Sequence, residues 1–258
     1  MRFPHLIKYV NIHYHYGSRM AMVRVGLFVA GIAALALGPY PAGASDVPIG
    51  GITVQMPLYR QVSSSGERLY KQGLVQFSQG HHDRAAQLWR LLAEDGNPDA
   101  QFALGELYAT GDAKAGIDQN PTIAAKWYRR AAEQGHVTAQ YNLGVFYARG
   151  IGVPYNLREA ARWWRLAALQ GHIQAQFNLG LLYARGRGVG PNPAEAVRWW
   201  GMAAEHGYAP AEFNLGLMYI MGEGVKASRT QALRLWQLSA KQGFGQAIQA
   251  LKVLKTHR

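Results

Sequence analysis

Apolar side chains recur at helical spacing from Glu67 onward, within units that repeat about every 36 residues. Ala139 to Gly171 reads AQYNLGVFYARGIGVPYNLREAARWWRLAALQG, and closely similar text returns at Ala175 to Gly207. The alanines that open the units are Ala100, Ala139, Ala175, Ala211 and Ala247. The first step is 39 residues and the others are 36, with the three additional residues in Gly111 to Asn120. A period of this length predicts a solenoid of stacked helix pairs.

The first half of each unit predicts a helix with one apolar face. In the unit that opens at Ala139, this face carries Leu143, Phe146 and Tyr147. A glycine follows the leucine in every unit, at Gly105, Gly144, Gly180 and Gly216. Glycine inside a helix costs about 1 kcal/mol relative to alanine, so we predict that another helix approaches closely at this position.

The second half of each unit predicts another helix with regular caps. Good N-cap residues recur at Asn120, Asn156, Asn192 and Ser228. Pro121 and Pro193 follow two of them, at the first helical position, where proline is well tolerated. Glycines suited to a left-handed helix end stand at Gly96, Gly135, Gly171, Gly207 and Gly243. Each unit is therefore expected to contain two antiparallel helices.

Aromatic residues recur within the second helix, at Trp89, Tyr128, Trp164, Trp200 and Trp236. A cluster of tryptophans can form a ligand cage, but a ring that recurs in every unit is better explained by packing between repeats. The segment Gly186 to Gly190 (GRGVG) faintly resembles a dinucleotide-binding loop, yet it follows a helix and fills the same place as Gly150 to Val153. We interpret both features as structural.

The pattern A-x-x-x-L-G-x-x-Y-x-x-G-x-G-V, followed by A-x-x-W and A-A-x-x-G-H, resembles the Sel-one-like repeat (SLR) family of the tetratricopeptide-like superfamily. The resemblance implies an all-α fold, a right-handed α-solenoid of antiparallel helix pairs whose first helices line a concave groove. It places repeats at about 67–99 (degenerate), 100–138, 139–174, 175–210 and 211–246, with a capping helix at 247–258. The loop Gly111 to Asn120 departs from G-x-G-V and predicts a distorted, exposed turn.

The residues before the repeats predict export. Residues 1–44 contain Arg19 and Arg24, the apolar run Val25 to Leu37 and the small residues that end at Ala44, which is typical of a signal peptide cleaved after Ala44. The alternative, a retained membrane anchor, is disfavoured because the run is short for a bilayer span. The atypical extension before the cationic residues suggests a true start at Met20 or Met22. Residues 45–66 predict a flexible linker, and residues 67–258 the repeat domain. A periplasmic or secreted protein is expected.

The composition limits the classes of partner that are expected. The chain carries a net charge of +12, and without the four leader cations the mature part keeps +8. This charge favours acidic proteins, anionic polysaccharide or lipid headgroups, whereas export makes nucleic acid an unexpected partner. The chain has no cysteine, which excludes a thiol nucleophile and a disulfide framework.

Two rows of residues are candidate binding sites. Asn142, Asn178 and Asn214 recur in the first helices, and Arg149 and Arg185 stand seven residues after the first two, on the same helix face. Such a row suits an extended peptide backbone and a carboxylate, unless the asparagines only bond a neighbouring helix. Lys126, Arg162, Arg198 and Arg234 form a basic ladder on the second helices, which either docks an acidic partner or is a solvated face.

We expect an adaptor or scaffold that binds a protein or peptide in its groove, since this is the usual role of the family that the repeats resemble. The alternative is a factor in cell-envelope or exopolysaccharide assembly. The chain lacks a G-x-S-x-G or H-E-x-x-H motif, and His81 and His82 are expected to lack nearby carboxylates or cysteines that would complete a metal site. No catalytic residue, cofactor or metal is predicted, and an enzyme is the least favoured class.

Overall fold

The computed structural model describes residues 46–49, 52–55 and 64–256. The predicted signal peptide, its cleavage site and the alternative start residues lie outside the described residues. None of the described helices is long and apolar enough to cross a bilayer.

A β-hairpin precedes the helices. Strands β1 (Asp46–Ile49) and β2 (Ile52–Gln55) pair antiparallel, with Asp46 opposite Gln55 and Ile49 opposite Ile52. Sequence analysis assigned no strand to this part of the predicted linker. The hairpin has a local cause, because β-branched residues flank Gly50-Gly51, a pair typical of two-residue hairpin connections.

Residues 64–256 form eleven α-helices. Their bounds are α1 Ser64–Ser78, α2 His82–Glu94, α3 Pro98–Thr110, α4 Pro121–Glu133, α5 Val137–Arg149, α6 Leu157–Leu169, α7 Ile173–Arg185, α8 Pro193–Glu205, α9 Ala209–Met221, α10 Arg229–Lys241 and α11 Gly245–Thr256. Consecutive helices pack against each other along the whole row. The four pairs from α3 to α10 are the full repeats, α1 and α2 form the degenerate pair, and α11 is the capping helix. The predicted α-solenoid is confirmed.

The predicted helix caps are confirmed. The side chains of Asn120, Asn156, Asn192 and Ser228 each accept a hydrogen bond from a backbone N–H in the first turn of the following helix. All five predicted helix-ending glycines have positive φ, between 71° and 94°. These local signals set the ends of the second helices.

Close packing explains the glycine inside each first helix, as predicted. A Cβ atom on Gly144 would overlap the indole of Trp164, which is itself buried. The Nε1–H of Trp164 donates to the backbone carbonyl of Tyr141 at 3.1 Å. The same arrangement joins Gly180 to Trp200 and Gly216 to Trp236. The recurring tryptophans therefore join the two helices of one repeat, and Trp164 also belongs to a core cluster that extends into the neighbouring repeats. The packing interpretation is confirmed, although the hydrogen bond lies within a repeat and not between repeats.

The loop Gly111–Asn120 departs from the other repeats and is exposed in large part, as predicted, but it corrects the expectation about His82. It is also anchored: Asp112 caps a 3₁₀ turn at Ala113–Ala115, and Ile117 is 5% exposed. Asp112 Oδ2 lies 2.6 Å from Nδ1 of His82, so His82 does have a carboxylate partner. That partner is 30 residues away in sequence, which is why the local sequence around His82 did not reveal it.

Candidate binding surface on the first helices

Buried glutamines connect one repeat to the next. Gln140 Nε2 donates to the carbonyl of Ala132 at 3.1 Å, and Gln140 Oε1 accepts from Gln170 Nε2 at 2.8 Å. Gln101 makes the equivalent bonds with Ala93 and Gln134. Sequence analysis did not single out these residues, although the second letter of each A-Q pair marks them. Because they are buried and internally bonded, they stabilise the scaffold and are not available to a ligand.

Histidine rings also join repeats. His136 and His172 accept a hydrogen bond from the first turns of α5 and α7 through Nδ1, and they stack on Phe102 and Tyr141 at 4.5 and 4.3 Å between ring centroids. Burial lowers the pKa of His172 to about 4, so this ring is neutral at pH 7. Within the described residues, no three His, Cys, Asp or Glu side chains are placed to hold a metal ion.

We call the exposed side of α3, α5, α7 and α9 the first-helix row. Its helices are in side-chain contact: Asn142 Nδ2 on α5 donates to Glu106 Oε1 on α3 at 2.8 Å. Tyr128 Oη on α4 donates to the same carboxylate. Burial raises the pKa of Glu106, and the two donors act in the opposite direction. Asn142, a predicted binding residue, is therefore held by the preceding repeat.

The other two predicted asparagines differ from each other. Asn178 on α7 hydrogen bonds the hydroxyl of Tyr141 on α5. Asn214 occupies the equivalent position on α9, and the residue equivalent to Tyr141 is Phe177, which has no hydroxyl. Asn214 is half-buried and has no side-chain hydrogen bond among the described residues. Among the three asparagines, Asn214 is the one whose amide is not used by another described residue.

The predicted arginines of the row face solvent. Arg149 ends α5 and Arg185 ends α7, and both are exposed. Neither forms an ion pair within the described part of the chain, although Arg149 is close enough to Tyr141 to lower its pKa slightly against the larger effect of burial, which raises it. Helices α5 and α7 contain no acidic residue, and the one acid of α9, Glu212, is 3% exposed. This part of the row is positively charged.

The four residues of the basic ladder on the second helices differ in their contacts. Arg198 forms two hydrogen bonds with Glu195, at 3.0 and 3.2 Å, and its guanidinium lies over the ring of Trp199. Arg162 lies over Trp163 and is 3.4 Å from Glu159. Lys126 and Arg234 are exposed and form no ion pair with other described residues. Because its two central arginines are engaged on their own helices, the ladder is a weaker candidate than the first-helix row.

A second arginine position was missed by sequence analysis. The guanidiniums of Arg129 and Arg165 donate to the hydroxyls of Tyr147 and Tyr183 in the next repeat and lie over the same rings. Recurrence of Arg one residue after the packing ring was the available signal. At the equivalent place in the following repeat stands Gly201. The bond joins repeats and therefore belongs to the scaffold.

The chain is a helical repeat protein whose repeats are bonded to one another through buried polar side chains. The Sel1 repeat family model matches residues 98–136, 137–172, 173–208 and 209–244. The chain belongs to the Sel1 repeat family. Sel1 repeat proteins are generally protein–protein interaction scaffolds and are typically not enzymes.

Solved structures similar to this chain include two Sel1-type repeat proteins. A Sel1 repeat protein from Oxalobacter formigenes shares 36% identity at a TM-score of 0.64, over 69% of this chain and 72% of that one. A protective antigen of uropathogenic Escherichia coli strains, with an SLR fold, shares 32% identity at a TM-score of 0.64. That match covers 69% of this chain but only 38% of the antigen. No curated protein matches the sequence.

Proposed function

We propose that the protein is an exported adaptor that holds a protein or peptide partner along its first-helix row, within a complex of the bacterial cell envelope. The strongest support is that the repeats differ from one another at an exposed position of this row. The positions that pack are nearly constant, as in the alanines that open the units. The last residue of the first helix is Thr110, Arg149, Arg185 or Met221 in the four full repeats. A constant scaffold with a varied exposed face suits recognition of one partner.

The envelope location rests on the leader sequence. Arg19 and Arg24, the apolar run and the small residues before Ser45 favour cleavage after Ala44. Expression of the full chain in a Gram-negative host, followed by cell fractionation and N-terminal sequencing, tests this. A periplasmic or secreted product that begins at Ser45 supports the proposal, and a product that keeps its leader in the cytoplasm contradicts it.

Partner capture tests the adaptor role. The tagged protein is incubated with envelope extract, and bound proteins are quantified for the wild type and for Arg149→Gln with Arg185→Gln. The control carries Lys126→Gln with Arg234→Gln, which removes the same charge from the second helices. We expect the first variant to lose a captured partner at least tenfold, and the control to stay within twofold. Equal capture by all three proteins, or no captured partner, contradicts the proposal.

Anionic polysaccharide is the second candidate, favoured by the mature charge of +8 and by the exposed Arg149 and Arg185, whose own helices contain no acidic residue. Polygalacturonate is a suitable probe. Raising the salt from about 0.1 to about 1 M shortens the screening length from about 10 to about 3 Å, so binding carried by exposed charges should be lost. Salt-sensitive polygalacturonate binding without protein capture would favour this candidate.

A further inference from the structure

The first-helix row breaks its own pattern at the C-terminal end of α9. Met221 stands where Arg149 and Arg185 stand in the two preceding repeats, and its side chain is 42% exposed. Leu217, four residues earlier, lies on the same side of the helix as Met221 and is partly buried against α10 and α11. An exposed thioether beside this side chain forms an apolar contact surface that adapts to different partner side chains.

Asn214 lies on the same face of α9, seven residues before Met221. Its amide is not used within the described part of the chain, in contrast to Asn142 and Asn178, because Phe177 lacks the hydroxyl that Tyr141 offers to Asn178. A free primary amide offers a donor and an acceptor, which is the pair that the backbone of an extended peptide requires. This side chain can therefore hold a peptide without specifying its sequence.

Arg185 supplies the charge next to this surface. It ends α7, whose Leu181 belongs to the same apolar cluster as Leu215 and Met218 of α9, so the two helices share one core. The guanidinium is exposed and has no carboxylate on α5, α7 or the exposed part of α9 to neutralise it. A carboxylate of the partner is the complementary group, because guanidinium and carboxylate match in a bidentate pair.

The spacing of the two helices sets the spacing of the partner residues. Packed helices lie about 8–10 Å apart, and an extended chain advances about 3.3 Å per residue, so one helix spacing corresponds to about three residues. We propose that Arg185, Asn214 and Met221 bind an extended protein segment in which an acidic residue precedes or follows a large apolar residue by about three positions. The acid contacts Arg185, the backbone contacts Asn214, and the apolar side chain contacts Met221 and Leu217.

This inference rests on the proposed adaptor function and names the partner chemistry at one end of the row. A phage library of random dodecapeptides, panned on the purified protein, tests it without knowledge of the natural partner. We expect the selected peptides to share Asp or Glu and a large apolar residue two to four positions apart. Selected peptides without this pair, or no enrichment at all, would overturn the inference.

Variants at exposed residues test which side chains form the peptide-binding site. A selected peptide is made synthetically, and its dissociation constant is measured for Arg185→Gln, Asn214→Ala and Met221→Ala. Two controls remove an arginine charge and a large apolar side chain from α10, where Arg234 and Leu238 are also exposed. We expect about tenfold weaker binding for Arg185→Gln, at least threefold for each of the other two, and less than twofold for Arg234→Gln and Leu238→Ala.

The outcomes separate this inference from the adaptor function. If the controls weaken the peptide as much as the three row variants do, the site is elsewhere and the inference fails. If the three variants leave peptide binding unchanged while Arg149→Gln with Arg185→Gln still abolishes partner capture, the inference fails and the adaptor function stands. If partner capture is insensitive to the whole row, the adaptor function fails on its own test.

Discussion

The hydroxyl of Tyr128 donates a hydrogen bond to the carboxylate of Glu106, and both residues depart from the repeat pattern. The other full repeats place tryptophan at the first position and Val145, Leu181 or Leu217 at the second. A tryptophan here bonds a backbone carbonyl of the first helix, as Trp164 does, but a phenol cannot reproduce that bond. Glu106 gives the phenol an acceptor, so one substitution compensates the other.

Tyr128→Phe should therefore destabilise the protein, because it removes a donor from a half-buried carboxylate. A hydrogen bond to a charged group is worth about 1.5–3 kcal/mol, and a loss near the lower figure is expected since Asn142 remains as a donor. Urea unfolding measures the change. The double variant Glu106→Leu with Tyr128→Trp restores the pattern of the other repeats and should lose less stability than Tyr128→Phe. If the double variant is less stable than Tyr128→Phe, Glu106 and Tyr128 do not compensate each other.

The titration of Glu106 gives a second prediction. Burial raises its pKa in the folded protein above the ordinary value of 4.5. Between these two pKa values the unfolded chain has released a proton that the folded chain keeps, so the contribution of Glu106 to stability falls as pH rises through this window. The difference in unfolding free energy between wild type and Glu106→Gln, measured from pH 4 to pH 8, should fall with rising pH and then level. A difference that does not change with pH would contradict this.

His172 should have the opposite effect. Its pKa is lowered from 6.5 to about 4 by burial, so between these values the unfolded chain binds a proton that the folded chain excludes. Its contribution to stability is fully present above pH 6.5 and is lost as pH falls towards 4. Protonation also removes the Nδ1 acceptor that caps α7.

His172→Asn tests this prediction, since asparagine is a good N-cap but does not titrate. Denaturant unfolding at pH 7, 5.5 and 4 should show a smaller acid loss for this variant than for the wild type. His206→Asn, at an exposed histidine, is the matched control and should keep the wild-type profile. Identical profiles for His172→Asn and the wild type would exclude His172 as the source of the acid sensitivity.

Two glycines in helices should respond oppositely to alanine. At Gly144 the new Cβ overlaps the buried indole of Trp164, and overpacking of this kind costs about 1–3 kcal/mol, more than the gain in helix propensity of about 1 kcal/mol. At Gly201 in α8 nothing lies within 4 Å of the new Cβ, so only the gain applies. Thermal unfolding should show a lower midpoint for Gly144→Ala and a higher one for Gly201→Ala. Shifts of the same sign would show that close packing is not what maintains Gly144.

The solenoid was predictable because its signals are local and repeated. The N-caps, the helix-ending glycines and the glycine that faces Trp164 each follow from a few neighbouring residues, and four repeats give the same result. The hairpin Asp46–Gln55 was missed because it occurs once and is short. The pair His82–Asp112 was missed because no period relates its members.

The candidate site was only partly predictable. The sequence places Asn142, Asn178 and Asn214 at equivalent positions of three helices, and the structure agrees. Their hydrogen-bond partners, however, depend on which residue the preceding repeat supplies. Glu106 engages Asn142, the hydroxyl of Tyr141 engages Asn178, and Phe177 offers Asn214 nothing. Repetition in the sequence shows what repeats share, whereas recognition depends on how they differ.

Each helix packs against the helices that precede and follow it in the chain. This arrangement has a consequence for how a repeat protein can gain or lose whole repeats. A whole unit such as residues 137–172 begins and ends with the same kinds of contact. At its start Ala139 and Gln140 donate to His136 and Ala132 of the preceding unit, and at its end His172 and Ala168 accept from Ala175 and Gln176 of the next. Duplication or loss of one unit would join equivalent surfaces and leave no unmatched interface. Evolution can thus lengthen or shorten the surface in steps of one repeat while the residues that pack stay unchanged.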